Sequence, residues 1–108
     1  MAKKKNSSRK QKGVKALISI KADTDLADEI GKTLSEYKFI EDVLFLTGNF
    51  DFIVKASFES YDHMKRFLTL ELPDIEGVEN SNSMMVVSAY KERHEFVKAK
   101  KPEEEEQG

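Results

Sequence analysis

The sequence predicts an α+β domain of ferredoxin-like order, β-α-β-β-α-β, with four antiparallel strands in one sheet and two helices on one of its faces. Three observations predict it. The run Val14-Lys15-Ala16-Leu17-Ile18-Ser19-Ile20 alternates with the two-residue period of a strand. After it, Leu26, Ile30, Leu34 and Tyr37 recur three and four residues apart, the period of an amphipathic helix. Two β-rich runs, 41–46 and 52–58, then flank a short glycine-containing segment, as the arms of an antiparallel hairpin do.

Each element has its own local signals. Gly13 closes a lysine-rich arm and opens the first strand. Asp23-Thr24-Asp25 offers capping oxygens and first-turn negative charge, so the first helix is expected over about 24–37. Ser60 caps a second helix that puts Met64, Phe67 and Leu68 on one side, and Pro73 limits it because proline has no N–H to donate. Gly77-Val78 opens the last strand, which continues through 83–90.

Length and charge divide the chain. With 108 residues it holds one domain, and with 35% charged side chains a compact core requires the termini to stay outside. Residues 1–12 carry Lys3, Lys4, Lys5, Arg9, Lys10 and Lys12 and no acid. Residues 13–90 carry 7 basic and 14 acidic side chains, a charge of −7. The expected division is a disordered basic arm over 1–12, a ligand-binding and oligomerisation domain over 13–91, and a charged tail over 92–108 that includes Glu103-Glu104-Glu105-Glu106. Such an arm can touch nucleic acid phosphates in a salt-sensitive way, but it lacks the interleaved aromatics that stack on single strands.

Several chemistries have no residues to run on. There is no cysteine, hence no disulfide, thiolate metal site or thiol nucleophile. No apolar run approaches the roughly 20 residues of a membrane span, and no apolar segment follows the N-terminal charges as in a signal peptide. The expected location is the cytoplasm, without a membrane partner. His63 falls in the second helix and His94 beyond the last strand, with no converging ligand set, so no metal, cofactor or catalytic residue is assigned. Asp51 makes no carboxylate pair with Glu41 or Asp42, because the hairpin puts them at opposite ends. The five glycines are scattered rather than gathered into a phosphate loop.

Both faces of the expected sheet are apolar. Met84 and Val86 lie on one side of the last strand, with Met85, Val87 and Ala89 on the other. Phe52, Val54, Ala56 and Phe58 form one row of the third strand, while Ile53 sits among Lys55 and Ser57 on the opposite row. Two helices cover one face only, and a large exposed apolar face is rare on a soluble monomer. The expectation is a homodimer with sheets face to face, a dimeric αβ-barrel or sandwich.

The candidate binding element is the turn Thr47-Gly48-Asn49-Phe50-Asp51. Gly48 permits positive φ and close approach of a ligand to backbone N–H groups, and Asp51 adds a carboxylate. Together they suit a zwitterion, whose carboxylate meets amides and whose ammonium meets Asp51. The simpler reading is a glycine turn in which the aspartate bonds to nearby backbone.

The string from Leu46 to Lys55, LTGNFDFIVK, resembles the central hairpin of the effector-binding (RAM) domain of Lrp/AsnC transcriptional regulators. Ile75-Glu76-Gly77-Val78 is similar to the Gly-Val that opens that domain's fourth strand, and the likeness covers about 13–91. The resemblance implies dimers that associate further, often to octamers, and amino acids or related metabolites bound between dimers near the Gly-x-x-Asp turn. It implies ligand-binding roles for Thr47, Gly48, Asn49 and Asp51, with Ser81 and Ser83 standing where the family often has Thr-x-Thr. Full-length members carry an N-terminal helix-turn-helix domain, whereas only 12 residues precede the first strand here. A stand-alone RAM protein is therefore expected, with no sequence-specific DNA reading of its own and with full-length family regulators as candidate partners. Two other readings are a purely structural hetero-oligomerisation module and a small dimeric ferredoxin-like enzyme such as a monooxygenase.

Overall fold

The computed structural model describes residues 13–96. The basic arm and the Glu103–Glu106 run lie outside the described residues. Strand β1 (Val14–Ala22) is followed by a 3-10 turn (Thr24–Leu26), helix α1 (Ala27–Ser35) and the hairpin strands β2 (Ile40–Phe45) and β3 (Phe52–Phe58). Helix α2 (Tyr61–Arg66), strand β4 (Val78–Met85) and a small hairpin of β5 (Lys91–Glu92) and β6 (Glu95–Phe96) follow within the described residues. The four long strands form one antiparallel sheet in the order β2-β3-β1-β4, the ferredoxin-like arrangement expected.

Alternation decides which side of the sheet is core. Ala16, Ile18 and Ile20 of β1 and Phe52, Val54, Ala56 and Phe58 of β3 are buried, against Ile30 and Leu34 of α1 and Met64, Phe67 and Leu72 beyond. The register pairs Ile18 with Val54 and Ile20 with Phe52, so the inward rows sit side by side. Phe39, just before β2, joins the two layers, with its ring 5.1 Å from Phe58 and 5.2 Å from both Tyr37 and Phe67. Burying rings of this size contributes about 1.5–3 kcal/mol each.

Three elements differ from the sequence expectation, each for a physical reason. The α-helix starts at Ala27 rather than near Thr24, because the Asp23 carboxylate accepts from Asp25 N–H (3.0 Å) and winds a tight 3-10 turn first. The helix ends at Ser35, and Tyr37 packs on Phe67 from outside it. The second helix is α-helical only to Arg66. It widens into a π turn (Phe67–Glu71), with Leu72 N–H donating to the Phe67 carbonyl, and then a 3-10 turn (Leu72–Asp74). Pro73 cannot donate to Thr69, and its ring would press on that carbonyl, so the preceding turn opens. The last strand stops at Met85 instead of running to residue 90. Val86 N–H still donates to the Lys15 carbonyl at 2.8 Å, but β1 then runs out of partners, and Val87 is 95% exposed.

His63 is a packing and capping residue. Its ring meets Phe39 edge-on at 4.7 Å, its Nδ1 accepts from Glu59 N–H (3.0 Å), and its own N–H donates to Ser60 Oγ (3.1 Å). Both bonds close the start of α2.

Gly77 and Gly48 both have positive φ, +97° and +127°, but in different surroundings. A Cβ at Gly77 would lie 2.8 Å from Ile30 Cδ1 and 3.0 Å from Leu26 Cδ1, whereas one at Gly48 would meet nothing within 4 Å. Gly77→Ala therefore adds overpacking to backbone strain and should destabilise by about 2–4 kcal/mol, against about 1 kcal/mol for Gly48→Ala. Urea denaturation of both variants checks this, and equal losses would remove the packing argument.

Candidate ligand turn and the helix-free sheet face

The β2–β3 connection is closed by backbone and braced by one side chain. Leu46 N–H donates to the Asp51 carbonyl (2.8 Å), and Asp51 N–H donates to the Ile20 carbonyl (2.9 Å), which ties the hairpin to β1. The Asp51 carboxylate turns back into the protein. Its Oδ2 accepts from Ala22 N–H at 2.8 Å and lies 3.9 Å from Lys21 Nζ. The register of β1 against β4 shifts between Lys21 and Ala22, so this carboxylate occupies a bulge where a backbone N–H turns away from the regular ladder. Thr47, Gly48 and Asn49 stand exposed at the tip, while Asp51 is 9% exposed at its base.

Ser81 and Ser83 lie elsewhere. They pair with Ile20 and Ile18, so they face the helix side at the sheet edge, Ser81 half-buried and Ser83 exposed. Within one chain, β1 stands between them and β3, at whose start Asp51 sits. The structure thus groups the turn residues and leaves the two serines as a separate pair. A groove of about 300 Å³ opens between α1 and β2, floored by Val43, Phe45 and Phe52 and rimmed by Asp28 and Lys32. None of the six sequence-predicted site residues lines it.

The face away from the helices carries a band of apolar side chains flanked by charge. Leu44, Ile53, Leu17 and Met84, one from each strand, share that face by register. Leu44 and Met84 are about half exposed (54% and 46%). Lys15 and Lys55 flank the band, and the β5–β6 hairpin brings Glu92 to both. Glu92 Oε2 is 2.8 Å from Lys55 Nζ and 3.3 Å from Lys15 Nζ. Hydrogen bonds from Lys55 first, and then from Lys15, hold the Glu92 carboxyl below its ordinary range. The hairpin turn has Arg93 and His94 both at positive φ, 51° and 70°. A two-residue type I′ turn requires that geometry, and for residues with a side chain it costs about 1–2 kcal/mol each.

Sequence reasoning missed Glu92. Lys15 and Lys55 are recognisable as outward residues of adjacent strands, but nothing in the alternation signals a hairpin folding back over them. Among the described residues, no group of three or more His, Cys, Asp or Glu side chains could hold a metal ion, and no helix is long and apolar enough to cross a membrane. Burial pushes the Tyr37 phenol up, helped by the neighbouring Glu71 carboxylate, which fits a packed aromatic at the helix layer.

Comparison with known proteins gives a consistent result. The profile described as Lrp/AsnC ligand binding domain matches residues 15–96. The HTH-type transcriptional regulator FL11 of Pyrococcus horikoshii is 31% identical over 81 residues, covering 75% of this chain and 53% of that protein. The chain thus spans about half the length of the curated relatives it matches. In fold it is similar to the transcriptional regulator NMB0573 of Neisseria meningitidis, solved as an L-Met complex (TM-score 0.72, 19% identity, 87% of this chain and 61% of that one). It is likewise similar to AsnC of E. coli (TM-score 0.69, 16% identity, 74% of this chain and 54% of that one). The profile spans most of the chain, and the hairpin that suggested the resemblance lies inside it: the chain belongs to the Lrp/AsnC ligand-binding domain family.

Proposed function

We propose that residues 13–96 form a self-associating sensor of an amino acid or a related zwitterionic metabolite, acting in the cytoplasm without catalysing a reaction. The observation that carries this reading is the β2–β3 turn. Thr47, Gly48 and Asn49 are exposed, Gly48 has a positive φ with open space beside it, and the carboxylate of Asp51 is fixed at the turn's base. Backbone N–H groups at the tip would receive the ligand carboxylate. Asp51 Oδ1 would meet the ammonium, since Oδ2 is engaged by Ala22 N–H. That one structural neighbour was solved with L-Met supports a ligand of this class.

Self-association follows from the helix-free face, whose apolar band would be covered by the same face of a second copy. Ser81 and Ser83 are separate from the turn within one chain, so they would reach a ligand held by another copy in a higher assembly such as an octamer. Ligand would then favour the assembly that contains the completed site. Full-length regulators of the family would be the hetero-partners. A second reading has one specific observation in its favour. Asp51 is almost fully buried and already satisfies a backbone N–H, as in a purely structural module.

Thermal-shift measurements with each of the twenty amino acids, followed by light scattering, separate the two. A ligand at a hundred times its Kd stabilises by about 2.7 kcal/mol, and a true effector should also change particle size. If none moves either quantity, the structural module stands.

Asp51 variants then test the site. Asp51→Asn keeps an oxygen for Ala22 N–H, so the fold should survive while binding falls by roughly tenfold or more with loss of the charged partner. Asp51→Ala should also destabilise the free protein by about 1–3 kcal/mol, because a buried N–H loses its acceptor. Isothermal titration and denaturation read the two effects, and normal binding by Asp51→Asn would remove its charge from recognition.

A further inference from the structure

We infer that Glu92 completes the self-association surface: the C-terminal hairpin lays its carboxylate between Lys15 and Lys55, pairing both ammonium groups within the chain so that the strand face can be buried against a second copy of this chain. This rests on the sheet-to-sheet reading above and names what that pairing requires.

The geometry is specific. Lys15 and Lys55 stand on adjacent strands, on the side away from the helices, as diagonal neighbours two register pairs apart. One oxygen of Glu92 meets both ammonium groups, and all three side chains are partly buried, with 20–33% exposure. Isolated exposed ion pairs contribute little, but a partly buried carboxylate shared by two lysines is shielded from solvent and salt. The hairpin that delivers it holds two residues with side chains in the left-handed region. That arrangement persists only when the contacts around it hold it there.

By register the strands bring Lys15 and Lys55 to this side, with Asp42 opposite Lys55. Glu92 is the acid that meets both ammonium groups at once. Without it, a two-fold pairing would bring Lys15 and Lys55 of each copy into a desolvated interface beside Leu17 and Ile53 with the carboxylate they share removed. Uncompensated buried charge strongly opposes association. With it, each copy presents an apolar band with internally paired charges, and a two-fold axis matches that surface to itself.

Sedimentation velocity on the full chain over a concentration series tests the proposal, with circular dichroism verifying that each variant is folded. Glu92→Gln should weaken dimerisation by roughly tenfold or more. The triple variant Glu92→Gln/Lys15→Gln/Lys55→Gln, which removes both ammonium groups along with the carboxylate, should return to within about threefold of the native value. Rescue distinguishes charge compensation from a merely structural role for the hairpin. Unchanged or tighter dimerisation of Glu92→Gln overturns the proposal, the tighter result showing that the hairpin competes with the partner. Failure of the triple variant to recover overturns it as well. A native chain that stays monomeric throughout overturns the sheet-pairing reading and this inference with it, whereas a dimeric native chain indifferent to Glu92→Gln overturns this inference alone.

Discussion

Strand β1 bonds to β3 along one edge and to β4 along the other, and its inward residues Ala16, Ile18 and Ile20 are wholly buried. Everything else is arranged around that strand. The helices lie over its inward row, the hairpin of β2 and β3 is tied to its carbonyl at Ile20, and β4 ends where its partners end. Because side chains alternate, the burial of one row dictates that Lys15, Leu17, Ser19 and Lys21 point the other way. The character of the second face is thus a by-product of the core.

Much of this was legible in the sequence, because two-residue alternation and three-to-four-residue spacing are strong signals over long elements. Phe52, Val54, Ala56 and Phe58 announced β3 and its buried row. What was not legible depended on neighbours. The end of β4 was set by the length of β1, which Met84-Met85-Val86-Val87 does not encode locally. The widening of α2 required knowing that Pro73 would follow a continuous helix closely enough to disturb it. The β5–β6 hairpin rests on Arg93 and His94 in an unusual backbone region and on lysines far away in sequence. No local pattern predicts either.

The candidate site was legible to a different degree. The turn residues were identifiable from glycine and aspartate spacing together with a family resemblance, and three of them stand exposed together. The orientation of Asp51 was not. Its inward carboxylate merges the two readings of the turn that the sequence kept apart: one oxygen braces the backbone while recognition would fall to the other. Likewise Ser81 and Ser83, grouped with the turn only through the resemblance, lie across β1 from it in the folded chain, so a joint role would belong to an assembly rather than to one copy.

The junction at the end of β1 has a consequence for how the sequence can drift. Two consecutive peptide groups there are held by separate loops: Ala22 N–H by the Asp51 carboxylate, and Asp23 N–H by the Gly77 carbonyl at 2.8 Å. Gly77 in turn lies against Ile30 and Leu26, where a methyl group would push the ends of those side chains aside. The β2–β3 turn and the approach to β4 therefore meet on adjoining peptide planes. Changes in one alter the footing of the other, so substitutions in the two loops combine non-additively and the loops are constrained as a pair.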